Sequence, residues 1–124
     1  MYRNKKVSVI LPTYNEEQSI AAVINGFFET GLVDEVIAVD NNALGNTAQE
    51  IQKTKAIHIT ETANQGYGHA IMRGLKEATG DLLVMCEADG TFDAKDIEKE
   101  IERLGFNSQA KSYKSAGNFE VTKL

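Results

Sequence analysis

The chain has 124 residues, of which 42% are hydrophobic and 25% charged, and its net charge is −5. This composition is typical of one globular domain, and an acidic chain without a basic stripe argues against nucleic acid as a partner. A single cysteine, Cys86, excludes a disulfide within the chain, and no run approaches the roughly 20 apolar residues of a membrane span. We therefore expect a cytoplasmic protein, and peripheral contact with a membrane surface is compatible with this expectation.

Short apolar runs alternate with amphipathic segments along most of the chain. In chain order, the pattern predicts strands at 7–12, 35–40, 56–60 and 81–89, and helices at 15–31, 47–55, 67–79 and 93–105. This β-α alternation predicts a three-layer α/β/α, Rossmann-like architecture with a mostly parallel sheet. Residues 106–124 break the pattern, so we expect a domain over 1–105 and an irregular tail over 106–124, with a short strand in "NFEVTKL" as the alternative.

Polar residues follow each predicted strand. The first strand is followed by "PTYNEE", the second ends with Asp40 and Asn41, the third is followed by "NQGYG", and the fourth ends with Glu87 and Asp89. Ligands of open parallel sheets bind outside the carboxyl ends of the strands. We therefore expect these groups to converge on one edge of the sheet.

Glu87 and Asp89 are separated by one residue, which would turn both carboxylates to the same face of a strand. Two like charges so close repel each other unless a cation lies between them, and hard oxygen ligands suit Mg²⁺ or Mn²⁺. The alternative is that the pair ends a strand and begins a turn at Gly90. His58 and His69 stand alone, without the spacing of a zinc site.

Other nucleotide-binding classes lack their signatures. No glycine-rich loop follows the first strand, and there is no GxxxxGK[ST] motif, which disfavours nicotinamide enzymes and P-loop NTPases. A nucleotidyltransferase would carry a glycine-rich and basic signature where this chain has "PTYNEE". A response-regulator-like domain would need a phosphoacceptor aspartate after the third strand, and "HITETAN" offers none.

Three segments together carry a resemblance: "VSVILPTYNEEQSI", "EVIAVDNNALGNT" and "NQGYGHAIMRGLKEATGDLLVMCEADGTF". They resemble the nucleotide-sugar-binding half of family 2 glycosyltransferases, of the GT-A fold, and in particular the dolichyl- and polyprenyl-phosphate sugar transferases. The resemblance implies an inverting, metal-dependent transfer of a hexose from a nucleoside-diphosphate sugar to a polyprenyl or dolichyl phosphate. The implied cofactor is Mg²⁺ or Mn²⁺, held by Glu87 and Asp89 at the family's D-x-D element.

The resemblance also implies which residues contact the donor. These residues are Pro12, Tyr14, Glu16 and Asp40 around base and ribose, Asn41 at a second contact to metal or sugar, Gly66 and Ala70 where the backbone approaches the donor, Arg73 at a phosphate or the base, and Glu87 and Asp89 at the diphosphate. For Arg73, the alternative is a solvated surface arginine. Two positions depart from the family pattern, because Glu87 replaces an aspartate and Asn41 stands where a second carboxylate is common.

The resemblance covers about residues 5–105 and does not extend to an acceptor-binding half. The catalytic residues on the acceptor side are therefore unassigned, and the alternative function is a non-catalytic module that binds a nucleotide sugar. An open sheet edge would be compatible with a homo-oligomer.

Overall fold

The computed structural model describes residues 1–41, 46–61, 66–88, 90, 93–105 and 120–123. The strands are β1 (Val7–Thr13), β2 (Glu35–Asp40), β3 (Ile57–Thr60), β4 (Leu82–Met85) and β5 (Glu120–Lys123). The helices are α1 (Ile20–Glu29), α2 (Thr47–Gln52), α3 (Tyr67–Glu77) and α4 (Ile97–Gly105), the last preceded by a 3₁₀ turn at Ala94–Asp96. None of the helices in these described segments is long and apolar enough to cross a bilayer.

The five strands form one sheet in the order β3-β2-β1-β4-β5, and neighbouring strands are parallel. Every residue of the central strand β1 is buried. The chain moves outward from β1 to β3 and then returns to the other side of β1 as β4. The point where the order reverses therefore lies between β1 and β4, which is where open α/β sheets bind ligands.

Helices cover both faces of the sheet, as the alternation of side chains along β1 requires. Val9 and its i±2 neighbours pack in a cluster with α1, α2 and α4, whereas Ile10 packs in a second cluster with α3. The three-layer α/β/α architecture is thus confirmed. Helix α3 lies close against the sheet at Gly74, where an added Cβ would lie 2.4 Å from Cγ2 of Ile10.

The amino-terminal edge of the sheet is closed by a hydrogen-bond network around Glu35. Its Oε1 accepts hydrogen bonds from Ser8 Oγ at 2.6 Å, from Thr79 N at 2.7 Å and from Thr79 Oγ1 at 3.0 Å. Ser8 Oγ in turn accepts from Gly80 N at 2.9 Å, and Lys6 Nζ lies 3.9 Å from Glu35 Oε2. Burial works against the charged carboxylate, but the hydrogen bonds from Ser8 and Thr79 outweigh it and lower the pKa of Glu35.

The prediction that the first helix begins at Asn15 is wrong, because α1 begins at Ile20. Asn15 has a positive φ of 53°, and the carbonyl of Glu16 accepts from the backbone N–H of Ser19 and of Ile20 at 3.1 and 2.9 Å. A turn therefore precedes the helix. The rest of the prediction is confirmed, since α1 buries its apolar stripe and ends before Gly31, whose φ is 75°.

The fourth strand is also shorter than predicted and ends at Met85 rather than at 89. The last hydrogen bond between β4 and β1 within the described residues runs from Cys86 N to Ile10 O at 3.0 Å. Alternate residues of a strand direct their peptide groups to the same neighbour, so the backbone of Pro12 also faces β4. Proline has no N–H to donate there, and the pairing of the two strands ends at Ile10 and Met85.

Strand β5 lies within 106–124, where the sequence left a short strand as the alternative to an irregular tail. The other predicted strands and helices are present in the predicted order. Helices α2 and α3 end slightly earlier than expected, and α4 begins at Ile97 rather than at 93, after the 3₁₀ turn. The division into a domain over 1–105 and a tail stays a prediction.

Candidate functional site

The ends of β1 and β2 are tied together at the carboxyl-terminal edge of the sheet. Thr13 Oγ1 donates to Val39 O at 3.1 Å, and Asn41 N donates to Thr13 O at 3.1 Å. Pro12 is buried within this pair, whereas the side chain of Tyr14 is 56% exposed. The aromatic ring of Tyr14 is therefore available to a ligand at the edge of the sheet.

Two buried polar residues lie at the carboxyl end of β2, which Asp40 ends and Asn41 follows. Asp40 is 4% exposed, and its Oδ2 lies 3.4 Å from Nε2 of His58 on the neighbouring strand β3. Asn41 is 8% exposed, and its Oδ1 has no hydrogen-bond partner in the described part of the chain. A buried acceptor without a partner is costly, so it marks a position where a ligand can complete the hydrogen bonding.

The first turns of α3 contribute the third group of predicted residues. Gly66, the N-cap residue, is exposed with a φ of 114°, a conformation that favours glycine. Ala70 is fully buried in the cluster beneath α3. Arg73 is 43% exposed and pairs with Glu61 at 4.0 Å and with Glu77 at 3.5 Å. Since the backbone N–H of Glu61 donates to Asp40 O at 2.9 Å, the Glu61 contact brings Arg73 close to the edge where β2 ends.

The acidic pair that follows β4 is described at one of its two positions. Glu87 is exposed between the buried Cys86 and Ala88, and its carboxylate forms no hydrogen bond or ion pair with the described residues. Asp89 lies outside the described residues, so the prediction that both carboxylates share a face stays a prediction.

Carboxylates outnumber cations at this edge. The described part of the chain places Glu16 and Glu17 after β1, Asp40 at the end of β2, Glu61 after β3 and Glu87 after β4. The cations are Arg73 on α3, Lys95 in the turn before α4 and Lys123 at the end of β5. The described residues form no ready cluster of three or more metal-ligating side chains. The exposed carboxylate of Glu87 nevertheless fits a divalent cation such as Mg²⁺, which takes one or two protein carboxylates and completes its coordination with phosphates and water.

Two residues at this edge were not singled out from the sequence. Glu17 Oε2 accepts a hydrogen bond from Asn46 N at 2.7 Å, and Ser19 Oγ donates one to Ala88 O at 2.8 Å. Their partners lie 29 and 69 residues away along the chain. Periodicity and local motifs carry no information about contacts of this range.

The solved structures that this chain resembles are glycosyltransferases of the GT-A fold. Glucosyl-3-phosphoglycerate synthase from Mycobacterium tuberculosis, solved in complex with Mn²⁺ and uridine-diphosphate-glucose, superposes with a TM-score of 0.74 and 25% identity. The superposition covers 85% of this chain and 41% of the synthase.

The sequence model for glycosyl transferase family 2 matches residues 8–112, and the chain belongs to this family of transferase enzymes. Protein RfbJ of Shigella flexneri is 31% identical over 104 residues, which cover 84% of this chain and 80% of RfbJ. Dolichol-phosphate mannosyltransferase of Pyrococcus furiosus is 33% identical over 105 residues, which cover 80% of this chain and 30% of that enzyme. The chain thus spans most of RfbJ but less than half of the other two proteins.

Proposed function

We propose that this chain binds a nucleoside-diphosphate sugar at the carboxyl-terminal edge of its sheet and transfers the hexose, with inversion, to a polyprenyl or dolichyl phosphate. The observation that carries the proposal is the convergence of polar groups from the ends of β1, β2 and β4 on the point where the strand order reverses. The GT-A fold and the family membership support the same assignment.

The nucleoside is proposed to lie against the ends of β1 and β2, next to Pro12. The exposed ring of Tyr14 offers a face on which a base can stack. Asp40, Glu16 and the unpartnered Oδ1 of Asn41 supply acceptors for the N–H and O–H groups of base and ribose. The exposed backbone at Gly66 and the guanidinium of Arg73 border the diphosphate.

The diphosphate is proposed to be held through Mg²⁺ or Mn²⁺ at Glu87 and Asp89. A negatively charged diphosphate cannot approach an edge rich in carboxylates without a compensating positive charge, and Arg73 is already paired with Glu61 and Glu77. When bound, a divalent cation neutralises the charge that develops on the leaving diphosphate. The solved synthase complex that contains Mn²⁺ and uridine-diphosphate-glucose supports this proposal.

In the proposed transfer, an oxygen of the acceptor phosphate forms a bond to the anomeric carbon as the bond from that carbon to the diphosphate oxygen breaks. Attack from the face opposite the leaving group inverts the anomeric configuration. A phosphate acceptor is already ionised at neutral pH, so this step needs no protein base. The similarity to a dolichol-phosphate mannosyltransferase supports a lipid phosphate acceptor, which would bring the protein to a membrane surface.

Titration calorimetry with UDP and GDP, with and without Mn²⁺, tests the donor and metal assignments. We expect Mn²⁺-dependent binding of one nucleotide, and we expect Glu87→Gln to weaken it about tenfold or more, because the variant removes a charged ligand oxygen. Glu98→Gln is the matched control, since it neutralises an exposed glutamate on α4 and should leave the affinity unchanged. Equal Mn²⁺-dependent affinity in the Glu87 variant would exclude Glu87 as a ligand.

A transfer assay with a short-chain polyprenyl phosphate separates the enzyme from the alternative, a module that binds the donor without transfer. Formation of a lipid-linked sugar supports the proposal. Tight, Mn²⁺-dependent nucleotide binding without product would favour the binding module instead.

A further inference from the structure

The hydroxyl of Ser19 is directed away from the helix that it precedes. Ser19 is the N-cap residue of α1, yet its side chain makes no capping hydrogen bond. A serine at this position normally accepts a hydrogen bond from a backbone N–H of the first turn. Here the hydroxyl donates instead to the carbonyl of Ala88 at 2.8 Å.

Ala88 is the residue between the two acids of the proposed diphosphate site. It is buried, at 1% exposure, and it lies where the chain has already left the hydrogen-bond ladder with β1. Within the described residues, Ala88 forms no backbone hydrogen bond to β1. The hydrogen bond from Ser19 Oγ to Ala88 O therefore holds the backbone between the two acids. The carbonyl that it holds belongs to the peptide bond leading into Asp89.

Glu17 makes an equivalent contact on the other side of β1. Its Oε2 accepts from the backbone N–H of Asn46, the N-cap residue of α2, at 2.7 Å. Asn46 ends the connection that begins with Asp40 and Asn41. Glu17 thus fixes the far end of the connection that carries the proposed nucleoside contacts.

We propose that Glu17 and Ser19 are positioning residues that hold the two sides of the donor site in register with each other. Both residues belong to the turn between β1 and α1, so one short segment ties the connection after β2 to the acidic segment after β4. Neither residue contacts the ligand. The inference rests on the proposed function, because it assigns a role to these contacts within that same site.

Ser19→Ala removes the hydroxyl donor, whereas Ser19→Thr keeps a hydroxyl at this position. The matched control is Thr30→Ala at the other end of α1, which removes a hydroxyl that donates to Phe27 O at 2.6 Å. We expect Ser19→Ala to weaken the binding of Mn²⁺ and UDP roughly fivefold, the fold-change that corresponds to one net hydrogen bond. Ser19→Thr and Thr30→Ala should both bind as tightly as the parent protein.

Amide hydrogen exchange provides a second measurement that does not depend on any ligand. We expect exchange over residues 87–90 to accelerate in Ser19→Ala and to stay unchanged in Thr30→Ala. If Ser19→Ala does not fold, Ser19→Gly replaces it, because glycine is tolerated at N-caps. If amide exchange over residues 87–90 is unchanged in the Ser19 variant, the positioning role is overturned. If the parent protein binds no nucleotide, the proposed function is overturned, and the exchange measurement alone then decides whether Ser19 holds this segment.

Glu17 is tested in the same way with Glu17→Ala and Glu17→Gln. Glutamine keeps an acceptor oxygen for Asn46 N, so its affinity for UDP with Mn²⁺ should stay near that of the parent protein. Alanine removes the acceptor and should weaken binding roughly fivefold. Equal affinities in the two variants would remove Glu17 from the proposal.

Discussion

A single carboxylate, that of Glu35, joins three parts of the chain at the amino-terminal edge of the sheet. Ser8 on β1 and Thr79 in the turn after α3 both donate to the same oxygen of Glu35 on β2. The pKa of this carboxylate is lowered because these donors favour its charged form more strongly than burial opposes it. Glu35 therefore contributes to stability through its ionised state.

Glu35→Gln tests this contribution. Glutamine still accepts hydrogen bonds but carries no charge, so we expect the free energy of unfolding at pH 7 to fall by about 1 kcal/mol. Because the folded-state pKa is lowered, the contribution is present above the ordinary value of 4.5 and is lost as the pH falls through the folded-state value. Urea unfolding of both proteins between pH 3 and 7 should show their difference shrinking towards acid, and a constant difference would contradict the prediction.

At the scale of secondary-structure elements, the packing of α3 on the sheet depends on Gly74. A methyl group there would lie 2.4 Å from Cγ2 of Ile10 and 3.3 Å from Cγ2 of Val39. Both neighbours are β-branched side chains that are fully buried. Neither can move aside without disturbing β1 or β2, so the helix would have to shift.

We expect Gly74→Ala to lower the free energy of unfolding by roughly 1–3 kcal/mol, although alanine favours helices. Gly68→Ala on the same helix is the control, because no atom lies within 4 Å of the added methyl group. That variant should be neutral or more stable by up to about 1 kcal/mol. Chemical denaturation measures both, and a Gly74 variant as stable as the Gly68 variant would show that α3 is not held at this distance from the sheet.

Apolar periodicity predicted the first four strands and the four helices in their order, but it could not predict where α1 begins or where β4 ends, and it left β5 only as an alternative to an irregular tail. The start of α1 depends on the left-handed backbone of Asn15 and on the turn around the carbonyl of Glu16. The end of β4 depends on Pro12 of the neighbouring strand. The start of α1 and the end of β4 thus involve backbone geometry or a residue distant in the chain. Neither can be read from the local pattern of apolar residues.

At the scale of the whole molecule, the proposed donor site draws on several strands of one sheet, so ligand binding should stabilise the domain as a unit. At a free ligand concentration one hundred times Kd, binding raises the free energy of unfolding by about 2.7 kcal/mol. We expect this increase with UDP and Mn²⁺ together, and its loss on addition of EDTA. A thermal-unfolding series that shows equal stabilisation with and without EDTA would exclude metal-dependent binding.

The sequence predicted that the polar groups after the strands share one edge, because the carboxyl ends of parallel strands necessarily meet there. Asp40 and Asn41 lie there as predicted, next to the exposed ring of Tyr14. The contacts of Glu17 and Ser19 did not follow, since they join residues far apart in the chain. Whether each predicted residue binds the donor stays a prediction that the variants above address.

The end of the pairing between β1 and β4 has a consequence for how readily a ligand can enter. Because Pro12 offers no donor on the side of β4, the hydrogen-bond ladder between these strands does not continue past Cys86 within the described residues. A ligand that binds between the ends of these strands therefore does not have to break backbone hydrogen bonds between them, so no binding free energy is lost in separating the strands. A residue with a backbone N–H at this position would favour a longer hydrogen-bond ladder between β1 and β4, which would leave less space for a ligand between the strand ends.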